Sequence, residues 1–172
     1  MRFSTVFAAV AALFFSLQSQ AVSAQAVSEA AVARAVRECL DNAPMPDDMP
    51  SCVGRAAAKC HDQTTDPGNH RRQVTCNLAE ASAWDDFLAG QMRERAGYYQ
   101  KLDADEPVPS GEPTRVESLK ASDAAWRAFR DAECRQKAAE YAGNVMSEIV
   151  LSGCFMTSTA DRALDLYFQT AY

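Results

Sequence analysis

The sequence predicts an all-α protein: a single disulfide-stapled helical bundle of about four to six helices, with two long antiparallel helices. Three observations carry this. The chain beyond residue 24 is rich in alanine and has no run of β-branched or aromatic residues alternating at period two, as a strand would need. Two long stretches repeat apolar residues three and four apart, the spacing of one helix face. All six cysteines (Cys39, Cys52, Cys60, Cys76, Cys134 and Cys154) fall in this same region.

The first 24 residues stand apart. Arg2 precedes the apolar run Val6–Leu17, and Val22-Ser23-Ala24 puts small residues where a signal peptidase reads. An apolar run of about 12 residues is too short to span a bilayer. Residues 1–24 are therefore expected to be a Sec-type signal peptide, cleaved after Ala24 with Ala21 as the alternative. The first cysteine is Cys39, too distant for lipidation, so no membrane anchor is expected. Residues 25–172 are then one domain of a periplasmic or secreted protein. Residues 1–24 hold one basic residue and no acid, which leaves 16 basic against 23 acidic residues. That balance speaks against nucleic acid and anionic membranes as partners and is compatible with a basic protein.

Each element has its own signal. In "VSEAAVARAVRECL" Ser28 is a candidate N-cap, and Val32, Val36 and Leu40 recur four apart. Three prolines in "APMPDDMP" end that helix. Ser51 is expected to open a short helix with Cys52, Ala56 and Cys60 on one face, and Asp66-Pro67-Gly68 marks a loop. A long helix follows, from about Gln73 to Leu102, with Val74, Leu78, Ala81, Trp84, Leu88, Met92, Tyr99 and Leu102 on one broad face. After the acidic, proline-rich connection Asp103–Pro113, Thr114 and Glu117 form a capping box that opens the next helix. That helix runs to about Tyr141, with Gly143 beyond its end. A short helix ending near Gly153 and a terminal helix capped by Thr157–Thr159, with Ala160, Ala163, Leu164, Tyr167 and Phe168 inward, complete the chain.

On the Thr114–Tyr141 helix, "WRAFRDAEC" separates into faces. Val116, Leu119, Trp126, Phe129 and Tyr141 form an apolar stripe that includes Arg130. Ala125, Ala128, Ala132 and Ala139 form a second, small-residue face, so this helix is expected to pack on two sides. Arg127, Asp131 and Arg135 are spaced for ordinary i, i+4 pairs. An arginine in an apolar stripe needs acceptors, because an unpaired buried charge costs several kcal/mol. Asp85 falls within the apolar face of the preceding helix, so an Arg130–Asp85 ion pair between the two long helices is expected.

Six cysteines allow 15 pairings. Cys134 and Cys154 flank a segment with little else to hold it, and a bond there is worth roughly 3 kcal/mol. Cys60 and Cys76 flank the Pro67-Gly68 loop, which leaves Cys39 with Cys52. A metal set of Cys60, His61, His70 and Cys76 is the rival, but structural zinc usually shows a close Cys-x2-4-Cys pair and this chain has none. The expectation is no metal and no cofactor.

Catalytic signatures are missing as well. There is no His-Glu-x-x-His, Gly-x-Ser-x-Gly or phosphate-binding glycine loop. His61 and His70 lie in or beside a loop without an evident partner. Glu80 and Asp85 could suggest a glycosidase pair, but Asp85 is expected to point into the apolar stripe and Glu80 off it. No catalytic residue is assigned.

"TCNLAEASAWDDFL", "AAWRAFRDAEC" and "TSTADRALDL" together resemble the LprI-type lysozyme inhibitor family. The matching positions are Cys76, Glu80, Trp84, Asp85 and Leu88, then Trp126, Phe129, Arg130, Asp131 and Cys134, then Cys154, Thr157 and Arg162. Ala89, Asp123 and Ala142 depart from the family pattern. The resemblance implies a helical binding protein that occludes a lysozyme. Asp103, Asp105, Glu106 and Glu112 in the acidic connection are the candidate contact residues for that enzyme or another basic envelope protein. The alternative is an envelope interaction or ligand-binding module unrelated to lysozyme.

Overall fold

A computed structural model describes residues 29–43, 45–63 and 70–170. The N-terminal apolar segment, the Ser28 cap and the Asp66-Pro67-Gly68 turn lie outside the described residues. Among the described residues every regular element is helical: α1 (residues 29–41), a 3-10 helix (Pro46–Cys52), α2 (Arg55–Asp62), α3 (His70–Asp105), α4 (Arg115–Ala139) and α5 (Met146–Thr170).

Three long helices form the frame. Arg115 meets Asp103 and Arg127 meets Asp85, so α4 runs antiparallel to α3. Arg130 meets Thr159 and Cys134 meets Cys154, so α5 runs antiparallel to α4. Asn77–Ser152 and Arg95–Gln169 keep nearly one sequence offset, so α3 and α5 are parallel. The most extensive helix interface is between α3 and α5, and α4 rests mainly on α5. The core runs along that interface through Trp84, Leu88, Ala160, Ala163, Leu164 and Leu166, with Val32, Val36 and Leu40 of α1 closing one side.

Several elements differ from expectation for identifiable reasons. Ser51 does not open a helix: it lies in the 3-10 helix, and the chain then turns at Gly54 (φ 82°) before α2 begins. Cys52 and Cys60 are therefore on separate elements. The helix expected to end at Gly153 and the terminal helix are one continuous element, with no cap at Thr157–Thr159. Gly153 instead lies inside α5 against α3, where a Cβ would meet the Asn77 side chain at an ordinary contact distance of 3.7 Å. The buried line of α3 is Cys76, Asn77, Glu80, Ala83, Trp84, Leu88 and Gln91, one step round the helix from the predicted face, and Leu78 is exposed. Helix α4 packs on one side only, and Ala125, Ala128, Ala132 and Ala139 all face solvent. The Thr114–Glu117 capping box is present, and Gly143 takes positive φ in the turn after α4.

The disulfides are Cys39–Cys52, Cys60–Cys76 and Cys134–Cys154, the pairs that spacing predicts. The first two tie α1, the 3-10 helix and α2 to the start of α3. The third joins α4 to α5.

Candidate functional site

The family-like residues fall into two clusters, one on each side of the α3–α5 interface. The first is centred on Glu80, whose side chain is completely buried. One carboxylate oxygen accepts the Gly54 backbone N–H at 2.6 Å and the Trp84 Nε1–H at 3.0 Å; the other accepts the Ala57 N–H at 2.6 Å. The first turn of α2 has no acidic residue and no side-chain cap of its own. Glu80 supplies both, by hydrogen bonding to orphan N–H groups and by placing negative charge at the positive end of the helix. With its oxygens engaged by three donors and shielded from water, this carboxylate joins the start of α2 to Trp84 on α3.

This reverses the expected geometry of the two acids. Glu80 is buried, while the Asp85 side chain is 45% exposed, because the packed face of α3 is centred on Glu80, Trp84 and Leu88. The Arg130–Asp85 pair is not formed. Residues 126, 130 and 134 stack one turn apart on the side of α4 that meets α5, whereas Arg127 occupies the flank towards α3. It is Arg127 that reaches Asp85, at 2.8 Å, and it also holds Asp123 at 2.9 Å rather than Asp131. Partial burial disfavours the Arg127 cation, but these two carboxylates outweigh it and raise its pKa.

Arg130 forms the second cluster. Its guanidinium sits between the rings of Trp126 (5.1 Å) and Phe155 (5.3 Å), donates to Thr159 Oγ1 at 3.1 Å, and pairs with the adjacent Asp131 at 2.9 Å. Arg130 therefore satisfies its charge within the α4–α5 seam, where Cys134–Cys154 closes the next turn. Thr159, fully buried beside it, is the residue that sequence reasoning missed. The Thr157 expected from the family resemblance faces solvent instead. Arg162 pairs with Asp165 at 3.3 Å and donates to Ser122 at 3.4 Å.

Phe129 is the exception in the motif. It lies about a third of a turn round α4 from the α5-facing stripe and is 62% exposed, not in the core. Tyr141 is exposed too, in the turn after α4.

The acidic connection divides by role. Asp103 accepts from the Arg115 side chain at 2.9 Å and from the backbone N–H groups of Arg115 and Val116. Burial pushes the Asp103 carboxyl up, but these donors outweigh it and hold its pKa below the ordinary value. Asp103 is thus a joint between α3 and α4 and not a free contact residue. Glu106 lies 3.8 Å from Arg115 with its side chain mostly exposed. Asp105 and Glu112 are exposed as well. Glu117, on the capping box, is held below its usual value by the Thr114 backbone N–H and hydroxyl.

Cys60 and Cys76 are committed to a disulfide, which removes both thiolates from the metal set considered for the sequence. Among the described residues no group of three or more His, Cys, Asp or Glu side chains is placed to hold a metal ion. No helix among them is long and apolar enough to cross a membrane. Compared with known proteins, residues 60–166 match the family described as lysozyme inhibitor LprI. No curated protein and no solved structure matches the chain.

Proposed function

Since the chain belongs to the LprI lysozyme inhibitor family, we propose that it is an exported binding protein that blocks a lysozyme by covering its glycan cleft, and that it is not itself an enzyme. The family match over residues 60–166 is the observation that carries this reading. The internal accounting is consistent with it. Glu80, Trp84, Arg130 and Asp131 all have partners inside the scaffold, so the motif supports a surface rather than a reactive centre.

Asp105, Glu106 and Glu112 are the contact residues we assign, because they are exposed in one short connection and a lysozyme is commonly basic. An acidic partner gains association rate through electrostatic steering. Export is supported by the signal-like segment at residues 1–24 and by three disulfides, which persist in oxidising compartments.

The test is lysozyme-driven clearing of a bacterial suspension in the presence of the purified protein. Clearing should slow as the protein is added, and raised salt should weaken the effect. Full lysozyme activity at a large molar excess of the protein would exclude the inhibitor reading.

A further inference from the structure

A groove of about 750 Å³ runs along the end of the bundle, between the last turns of α3 and α5 and the first turns of α4. The chain as a whole has more acids than bases, 23 against 17. Yet among the described residues the walls of this groove carry Arg95, Arg115 and Arg162 and no Asp or Glu. The acids that brace these arginines, Asp103 and Glu106 for Arg115 and Asp165 for Arg162, are outside its lining. The groove is thus rich in N–H donors, with the charges of Arg115 and Arg162 balanced by carboxylates just outside it and that of Arg95 paired with no acid among the described residues.

Two of the arginines keep donor capacity. Arg162 has a mostly buried side chain, and its Nε–H is buried without a hydrogen-bond partner among the described residues. Arg95 lies over the Tyr99 ring at 5.5 Å and, among the described residues, donates one hydrogen bond, to Gln169 at 3.2 Å. Tyr98, 57% exposed, stands beside Tyr99 with ring centroids 5.7 Å apart. Ser118 and Ser122 add hydroxyls on the α4 wall.

We propose that this groove binds a short oligosaccharide bearing carboxylates. Guanidinium groups recognise carboxylates through charge-assisted, often bidentate hydrogen bonds. Aromatic rings give a sugar ring an apolar face to lie on, and the tyrosine, serine and glutamine side chains offer the directional partners that sugar hydroxyls need. An acidic peptide would satisfy the arginines but leave those neutral polar groups with less to do. The volume lies within the roughly 300–1,000 Å³ of small-molecule sites, and the open shape suits a chain rather than a single enclosed ring. The site goes beyond the inhibitor reading and does not depend on it.

Isothermal titration of the full chain tests this with four probes: a tetragalacturonate, a muramic-acid-containing disaccharide, uncharged chitotetraose and a glutamate pentapeptide. At least one of the two carboxylated sugars should bind, and comparing them separates a ring carboxylate from a lactyl one. Arg95→Gln and Tyr98→Ala alter side chains at the groove's edge, and each should weaken that binding roughly tenfold or more while leaving the thermal unfolding curve in place. Equal binding of chitotetraose would overturn the carboxylate assignment. Equal binding of the pentapeptide would overturn the sugar assignment. No heat from either carboxylated sugar, or full affinity in both variants, would overturn the site itself. Lysozyme inhibition measured on the same variants separates the two ideas, because Asp105, Glu106 and Glu112 remain intact in them.

Discussion

Glu80 on α3 grips the backbone N–H of Gly54, 26 residues earlier in the chain, at 2.6 Å. The same carboxylate holds Ala57 and Trp84, so a single side chain fixes the turn at Gly54 and the first turn of α2 onto α3. Gly54 is suited to the junction because its positive φ directs its N–H there without a Cβ penalty.

Glu80→Gln should therefore be costly despite its matching shape. It replaces an acceptor by an amide NH2 facing N–H donors and removes the charge at the start of α2. We expect a loss of about 2–4 kcal/mol, in line with breaking buried charged hydrogen bonds. Urea unfolding measures it, and a loss below about 1 kcal/mol would show that α2 is held by the Cys60–Cys76 bond and packing alone.

Arg130 and Arg127 lie three residues apart and should respond differently to lysine. At Arg130 the flat guanidinium fills the space between Trp126 and Phe155, which an ammonium does not reproduce. Arg130→Lys should cost about 1–2 kcal/mol. Arg127 and Asp85 are both partly exposed, so solvent screens their pair and Arg127→Lys should cost under about 1 kcal/mol. Comparing the urea midpoints of the two variants decides it, and equal losses would contradict the sandwiched geometry.

Asp103 gives the fold an acid dependence whose sign follows from its lowered pKa. The folded protein holds the carboxylate ionised below its ordinary value of 3.8. That contribution to stability is full above the ordinary value and is lost as pH falls below it, through the folded pKa. Asp103→Asn should lower the melting temperature at neutral pH and flatten its fall on acidification below about pH 4. Glu117, shifted in the same direction, leaves part of the slope in that variant. Parallel melting curves for the two proteins across this pH range would remove Asp103 from the account.

Helical content, the capping box and the disulfide pairs were legible in the sequence because each depends on local spacing. Thr114 and Glu117 carry their cap wherever the helix docks. Which face of a helix is buried depends instead on its neighbour. The apolar pattern of α4 did not show that α5 rather than α3 would be its main partner, so Arg130 was matched to the wrong helix and Phe129 was placed inside. The alanines of α4 fit tight packing or solvent equally well, being small and good helix formers. Gly153 looked like a helix end because its place against α3 is a tertiary fact, 76 residues away in sequence. The groove at the end of the bundle was hidden for the same reason: Arg95, Arg115 and Arg162 share no motif and meet only when three helices are in place.

The disulfides have one more consequence, which concerns time rather than space. Cys39 joins Cys52, Cys60 joins Cys76 and Cys134 joins Cys154, so every cysteine is bonded to its neighbour in order along the chain. A polypeptide delivered N-terminus first through a pore presents its thiols in that order, and each partner is the next to emerge. An oxidant that joins thiols as they arrive yields the native set directly. A crossed connectivity would need early pairs to be broken and remade; a consecutive one lets each thiol meet its native partner first.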